Sequence, residues 1–212
     1  MKKIIFLVFI LSLLFVEINF AQTITSYGMK IGLSAAGERS LNKYQGVVSD
    51  FSNQRRVGIT VAGFIEWFDT PVFSLLTQFA YTQKGMNERF IYTSTDQTII
   101  IDIDNRLDYL SFPIFFKLRK QTETVSPYII IGPRVDYLLG YNSDRNAYNH
   151  LYDNFKKAVL GGSVGIGIQI ESLMPVRFVM EASYNGDFTN SYNTERSEIS
   201  YNTFDFLIGI GF

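Results

Sequence analysis

The amino-acid sequence predicts an all-β protein: an eight-stranded antiparallel up-and-down transmembrane β-barrel, preceded by a cleavable signal peptide. Three observations carry this reading. Large apolar residues alternate with small or polar ones at a period of two in eight separate stretches, as strands require when successive side chains point to opposite faces. The connections between these stretches run long, short, long, short, long, short, long, the rhythm of hairpins with tight turns at one rim and loops at the other. The start of the chain is a basic Met1-Lys2-Lys3, an apolar run over 4–15, then Asn19-Phe20-Ala21, a secretory leader expected to be cut after Ala21. Glu17 and Asn19 keep that run below the roughly 20 residues of a helical span. The expected organisation is a signal peptide over 1–21 and one barrel domain over 22–212.

Taken in order, the first strand, 27–35, sets Met29, Ile31, Leu33 and Ala35 against Gly28, Lys30, Gly32 and Ser34. After a polar connection over 36–56, the second, 57–68, sets Ile59, Val61, Ile65 and Trp67 against Gly58, Thr60, Phe64 and Glu66. Asp69-Thr70-Pro71 makes a tight turn into the third, 72–84, where Phe73, Leu75, Phe79 and Tyr81 oppose Ser74, Gln78, Thr82 and Lys84. The connection 85–105 is long, and its Ile99 to Ile103 run is expected to extend a hairpin beyond the membrane. The fourth strand, 107–119, sets Leu110, Phe112, Ile114, Phe116 and Leu118 against Tyr109, Ser111, Pro113, Lys117 and Arg119. Pro113 lacks a ladder donor and predicts a bulge or a strained spot there.

The fifth strand, 127–141, alternates Ile129, Ile131, Val135 and Tyr137 with Ile130, Gly132, Arg134 and Asp136. A polar loop leads to the sixth, 158–171, where Leu160, Val164, Ile166, Ile168 and Ile170 oppose Gly161, Ser163, Gly165, Gly167, Gln169 and Glu171. The seventh, 176–184, sets Phe178, Met180, Ala182 and Tyr184 against Arg177, Val179, Glu181 and Ser183. After the polar stretch 185–200 comes the last, 201–212, with Phe204, Phe206, Ile208, Ile210 and Phe212 on one side and Thr203, Asp205, Leu207, Gly209 and Gly211 on the other.

Which side meets lipid follows from size. The bulky side carries Ile, Leu, Val, Phe, Tyr and Trp, while Gly28, Gly32, Gly58, Gly165, Gly167, Gly209 and Gly211 sit on the other. A small barrel has a cramped interior and a wide girth, so the glycine side faces in; a soluble ligand-binding barrel of the lipocalin type would reverse this. The inner face also carries Lys30, Glu66, Lys84, Lys117, Arg134, Asp136, Arg177, Glu181 and Asp205. Charges of both signs are expensive in lipid, so these should point inward and pair, as a structural lumen network rather than an ion path. Trp67, Tyr81, Tyr128, Tyr137, Tyr184 and Tyr201 lie near strand ends, where an interfacial aromatic belt would place them.

Composition narrows function. Without Lys2, Lys3 and Glu17 the mature chain has 17 basic and 19 acidic side chains, a net charge of −2, which gives no support to a nucleic-acid partner. With no Cys there are no disulfides and no thiolate chemistry. The single histidine, His150, lies in a loop near Asp153 with no strand Ser in obvious reach, so no catalytic residue is expected. Asp102 and Asp104 lack the glycine and terminal Glu of a calcium loop, and the glycines over 161–167 recur at strand period rather than as a phosphate loop. No metal site and no cofactor are expected.

Tyr81-Thr82-Gln83-Lys84-Gly85, Leu107-Asp108-Tyr109-Leu110-Ser111-Phe112-Pro113, Pro127-Tyr128 with Gly132-Pro133, and Gly209-Ile210-Gly211-Phe212 resemble the PorT-like outer membrane β-barrel family of Bacteroidetes, barrels of the OmpA/OmpX type. Ser111 stands where that family usually has Glu, and Gln78 where Glu is common, so a role carried by those acids does not transfer. The resemblance implies outer-membrane location, outer-membrane lipid as surroundings, and assembly by the barrel-insertion machinery, whose recognition signal Phe212 resembles. Its founding type is linked to protein secretion. The expected function is that of a small non-enzymatic outer-membrane barrel acting in envelope structure or through its external loops on an unknown extracellular or periplasmic partner. A secretion accessory, a soluble ligand-binding barrel and a narrow pore are the alternatives.

Overall fold

The computed structural model describes residues 24–42, 47–50, 55–68, 70, 72–93, 98–122, 124–143, 154–171, 176–194 and 197–212. The expected signal peptide, His150 and Asp153 lie outside them, as does the side chain of Asp102. The described residues form ten strands: β1 (Ile24–Asn42), β2 (Val47–Asp50), β3 (Arg56–Trp67), β4 (Phe73–Thr93), β5 (Thr98–Arg119), β6 (Val125–Ser143), β7 (Ala158–Glu171), β8 (Arg177–Asp187), β9 (Tyr192–Asn193) and β10 (Ser197–Gly211). Eight of them close an antiparallel barrel in the order β1-β3-β4-β5-β6-β7-β8-β10, with β10 returning to β1 from Gly28↔Gly211 to Asn42↔Ser197. The short β2 and β9 extend the sheet at the long-loop rim. Closure leaves the barrel wall no free edge, as a span through hydrocarbon demands.

The period of two sorts the side chains as size predicts. Phe206 is 51% exposed, Ile166 64% and Phe178 49%, all on the outer wall, while Arg134 and Glu181 on the inner face are 4% and 2% exposed. An exterior of this kind suits acyl chains and rules out a soluble barrel. At the short-turn rim the backbones of Tyr27 and Phe212 exchange hydrogen bonds of 2.8 and 3.1 Å, and their rings stack 5.9 Å apart. The Trp67 indole donates to Thr77 Oγ1 at 2.9 Å near the same rim.

Three expectations need correction. Pro113 makes no bulge: Thr77↔Ile114 and Ala80↔Ser111 flank it in one frame, and only the ladder bonds between them drop out. The register shift on β5 lies instead in its ladder with β6, where Asp108 pairs with Gly140 and Tyr109 with Leu138, leaving Leu139 extra. The strands are also longer than the apolar faces. The connection expected over 85–105 is mostly ladder, pairing out to Thr93↔Thr98, so the hairpin extension expected from the Ile99 to Ile103 run is present and longer than that run. With 22 residues, β5 is about 70 Å long, well beyond the roughly 25 Å apolar band even when tilted. Finally, Tyr128 and Tyr201 are not in the aromatic belt; both are 4% exposed and point into the lumen.

Candidate functional site

The lumen is the only place where the described residues gather buried chemistry. It is layered. Nearest the short-turn rim, Glu66 from β3 meets Lys117 from β5, Oε2 to Nζ 2.9 Å, with Arg119 Nη1 at 3.6 Å from its other oxygen. Ser74 Oγ donates to Glu66 Oε1 at 2.5 Å, and Lys117 Nζ also donates to Gln169 Oε1 at 3.0 Å. Slightly deeper, Lys30 Nζ lies 2.6 Å from Glu181 Oε2, which also accepts the Tyr128 hydroxyl at 3.0 Å. The two ammonium groups rest on aromatic faces: Lys117 is 4.5 Å from the Tyr128 ring centroid and Lys30 5.1 Å from that of Phe64. Phe64, Leu76, Phe115, Tyr128, Ile130 and Val179 pack around this layer as an internal apolar core.

Towards the long-loop rim the arrangement changes. Lys84 Nζ bridges Asp136 at 2.7 Å and Asp187 at 3.1 Å, and Arg134 spans the same two acids at 2.9 and 2.7 Å. Ser111, at the position where the resembled family carries an acid, donates to Asp136 Oδ1 at 2.6 Å. Above this quartet Leu107, Tyr109, Phe155, Val159 and Tyr201 form a second apolar cluster that caps the lumen. Between the two layers a cavity of about 30 Å³ is lined by Thr60, Gln78, Thr82, Ser183, Thr203 and Asp205; a second, of about 10 Å³, lies beside Glu66 and Lys30. Each has room for a water or so and none for a hydrated ion.

The nine inner-face charges divide three ways. Lys30, Glu66, Lys84, Lys117, Arg134, Asp136 and Glu181 are buried and ion-paired. Arg177 is instead at the short-turn rim, 28% exposed, with Glu171 Oε2 at 3.3 Å. Asp205 faces the lumen without an ion pair among the described residues, accepting a hydrogen bond from Asn185 Nδ2 at 2.8 Å. Sequence reasoning missed Asp187, because the alternation fades after Tyr184 into Asn185-Gly186 and the strand was expected to end there. It also left Tyr128 out of the lumen, although its parity, one residue from Ile129, puts it inside.

Most of the cross-strand ion pairs among the described residues skip one strand. Glu66 and Lys117 reach over β4, Lys84 and Asp136 over β5, Arg134 and Asp187 over β7, and Lys30 and Glu181 over β10. Inside a narrow cylinder, side chains from next-nearest strands converge, and long Lys and Arg stems span the gap. Gly167 serves this packing: a Cβ there would sit 2.3 Å from the Tyr128 ring. Gly85, at φ +133° and where a Cβ would sit 1.9 Å from the Asn105 carbonyl oxygen, is a second place where only glycine fits.

Comparison with known proteins agrees with this architecture. OprG from Pseudomonas aeruginosa, an outer membrane protein, matches over 90% of this chain and 96% of its own, with 10% identity and a TM-score of 0.51, a likeness of fold alone. Ail, the attachment invasion locus protein of Yersinia pestis, matches over 88% of this chain and 98% of its own at 18% identity and a TM-score of 0.41. Neisserial surface protein A matches over 88% and 97% at 13% identity and a TM-score of 0.43. None of the curated proteins matches. Residues 20–193 match the outer membrane protein beta-barrel domain, so the short turns face the periplasm and the long loops the exterior, and the chain belongs to that family of outer-membrane barrels.

Proposed function

We propose that this protein is a non-enzymatic barrel of the cell envelope whose lumen is a structural plug and whose working surface is the set of extended external hairpins. The observation that carries the reading is the closed interior. Ion pairs spanning the lumen and two apolar clusters fill it among the described residues, where the cavities between them are about 10 and 30 Å³. A pore needs a continuous wet path, and a wall with one sign of charge in excess. Planar-bilayer recording on the refolded protein tests this: no unitary current is expected, and steady single-channel steps would overturn it. Cleavage after Ala21 belongs to the same reading and predicts a mature chain starting at Gln22, read by mass spectrometry of protein from outer membranes.

A second, narrower reading is that of a PorT-like accessory of protein secretion. It is favoured by the segments over 81–85, 107–113 and 127–133, which build the β4-β5-β6 wall. Deleting the gene and following cargo in the culture medium separates the two. Loss of export with an intact envelope supports the accessory; normal export with a leaky envelope supports the structural barrel.

A further inference from the structure

The outer wall is not uniformly apolar at its upper boundary. Arg55 and Arg39 both project outward there, just past the apolar positions Val57 and Leu33. Arg39 lies twelve residues above Tyr27 on β1, about 40 Å along the strand and about 30 Å along the normal at the usual tilt, the level of the outer-leaflet headgroups. Arg55 is held in place: its Nη1 donates to the Ala35 carbonyl at 3.1 Å, and its guanidinium lies 4.8 Å from the lipid-facing Phe204 ring. Neither arginine has a carboxylate within ion-pair distance among the described residues.

Directly below Arg55 the wall is indented. Leu33, Val57, Tyr184, Phe204 and Phe206 stand around the small Ala35 and Ala182, leaving a furrow of about 510 Å³. At Ala182 and Phe206 it runs on into a second apolar furrow of about 660 Å³ towards the periplasmic rim. Both fall within the volume range of ligand sites, about 300–1,000 Å³.

We propose that this face docks a lipid of the outer leaflet that carries phosphate on its headgroup, with the phosphate on Arg55, assisted by Arg39, and an acyl chain along the Ala35–Ala182 furrow. Charge complementarity selects the occupant. A guanidinium with no carboxylate partner among the described residues, preorganised on the Phe204 ring at the edge of the apolar band, matches phosphate in geometry and charge, and the furrow beneath takes the hydrocarbon.

The test is native mass spectrometry of the full refolded protein released from detergent micelles containing diphosphoryl lipid A, with phosphatidylcholine, whose single phosphodiester is neutralised by its own choline, as the control without net negative charge. Retention of one lipid A and no phosphatidylcholine is expected. Arg55→Ala should weaken binding about fivefold and the pair R39A/R55A about thirtyfold, each cation near the surface being worth about one such step. Ala182→Phe, which fills the furrow and leaves both arginines, should weaken it independently; folding of every variant is checked by heat-modifiable gel mobility, and R39Q/R55Q replaces the alanine pair if that fails to fold. Equal retention of the two lipids, unchanged binding by the arginine variants, or full competition by inorganic phosphate alone would each overturn the assignment.

Discussion

The periplasmic and external halves of the lumen solve one problem in two ways. In the lower half, Glu66 and Glu181 each meet a lysine that also lies on an aromatic ring, the apolar core fills the space around them, and the cavity left is about 10 Å³. In the upper half, Asp136 and Asp187 share Lys84 and Arg134, Asp205 has no ion pair among the described residues, and about 30 Å³ stays open. The lower half is therefore two separate acid sites, Glu66 with Lys117 and Arg119 and Glu181 with Lys30, packed like a core around Tyr128, and the upper half a single shared quartet. Removing one member should cost somewhat more where charges are shared, because two acids rather than one are left less than neutralised.

That difference can be tested most sharply at Lys84. Lys84→Met leaves two buried aspartates to one arginine and should destabilise by about 3–5 kcal/mol. The measurement is urea unfolding in lipid vesicles, followed by the emission of Trp67, the single tryptophan. Next comes Lys30→Met in the lower half: Glu181 keeps the Tyr128 hydroxyl, so the loss should be about 2–3 kcal/mol, and Lys30→Met with Glu181→Leu should recover most of it. A double variant no better than the single would show that the lower pairs are not separable. Gly167→Ala probes packing without charge; its Cβ meets the Tyr128 ring and should cost about 1–3 kcal/mol, read in the same unfolding assay. The smallest effect is expected at Asp205→Asn, which keeps a partner for Asn185 and removes a charge with no ion pair; unfolding free energy should move by less than about 1 kcal/mol. A large loss there would mean that Asp205 belongs to the quartet.

Much of this was legible from the residues alone. The outward set Phe204, Phe206, Ile208 and Ile210 and the inward set Thr203, Leu207 and Gly211 follow from parity, and the same held on all eight wall strands. Parity puts Tyr128 and Tyr201 inside as well, but the general preference of tyrosine for the membrane interface overrode it in the reading of the sequence; the barrel buries them because their hydroxyls reach Glu181 and Glu38. Strand ends were less legible. β4 and β5 continue past the apolar band, where no lipid enforces alternation, so apart from the Ile99 to Ile103 run the ladder goes on without a hydrophobic signal. Asp187 was lost to the same cause on β8.

What the chain determined by itself was orientation: a strand turns each successive side chain over, so composition at alternate positions decides which side can face hydrocarbon. What only the closed barrel decided was partnership. Lys30 and Glu181 are 151 residues apart in sequence and meet at 2.6 Å across an intervening strand. That meeting depends on the stagger and curvature of the whole wall, which accumulate over every ladder and appear in no local pattern.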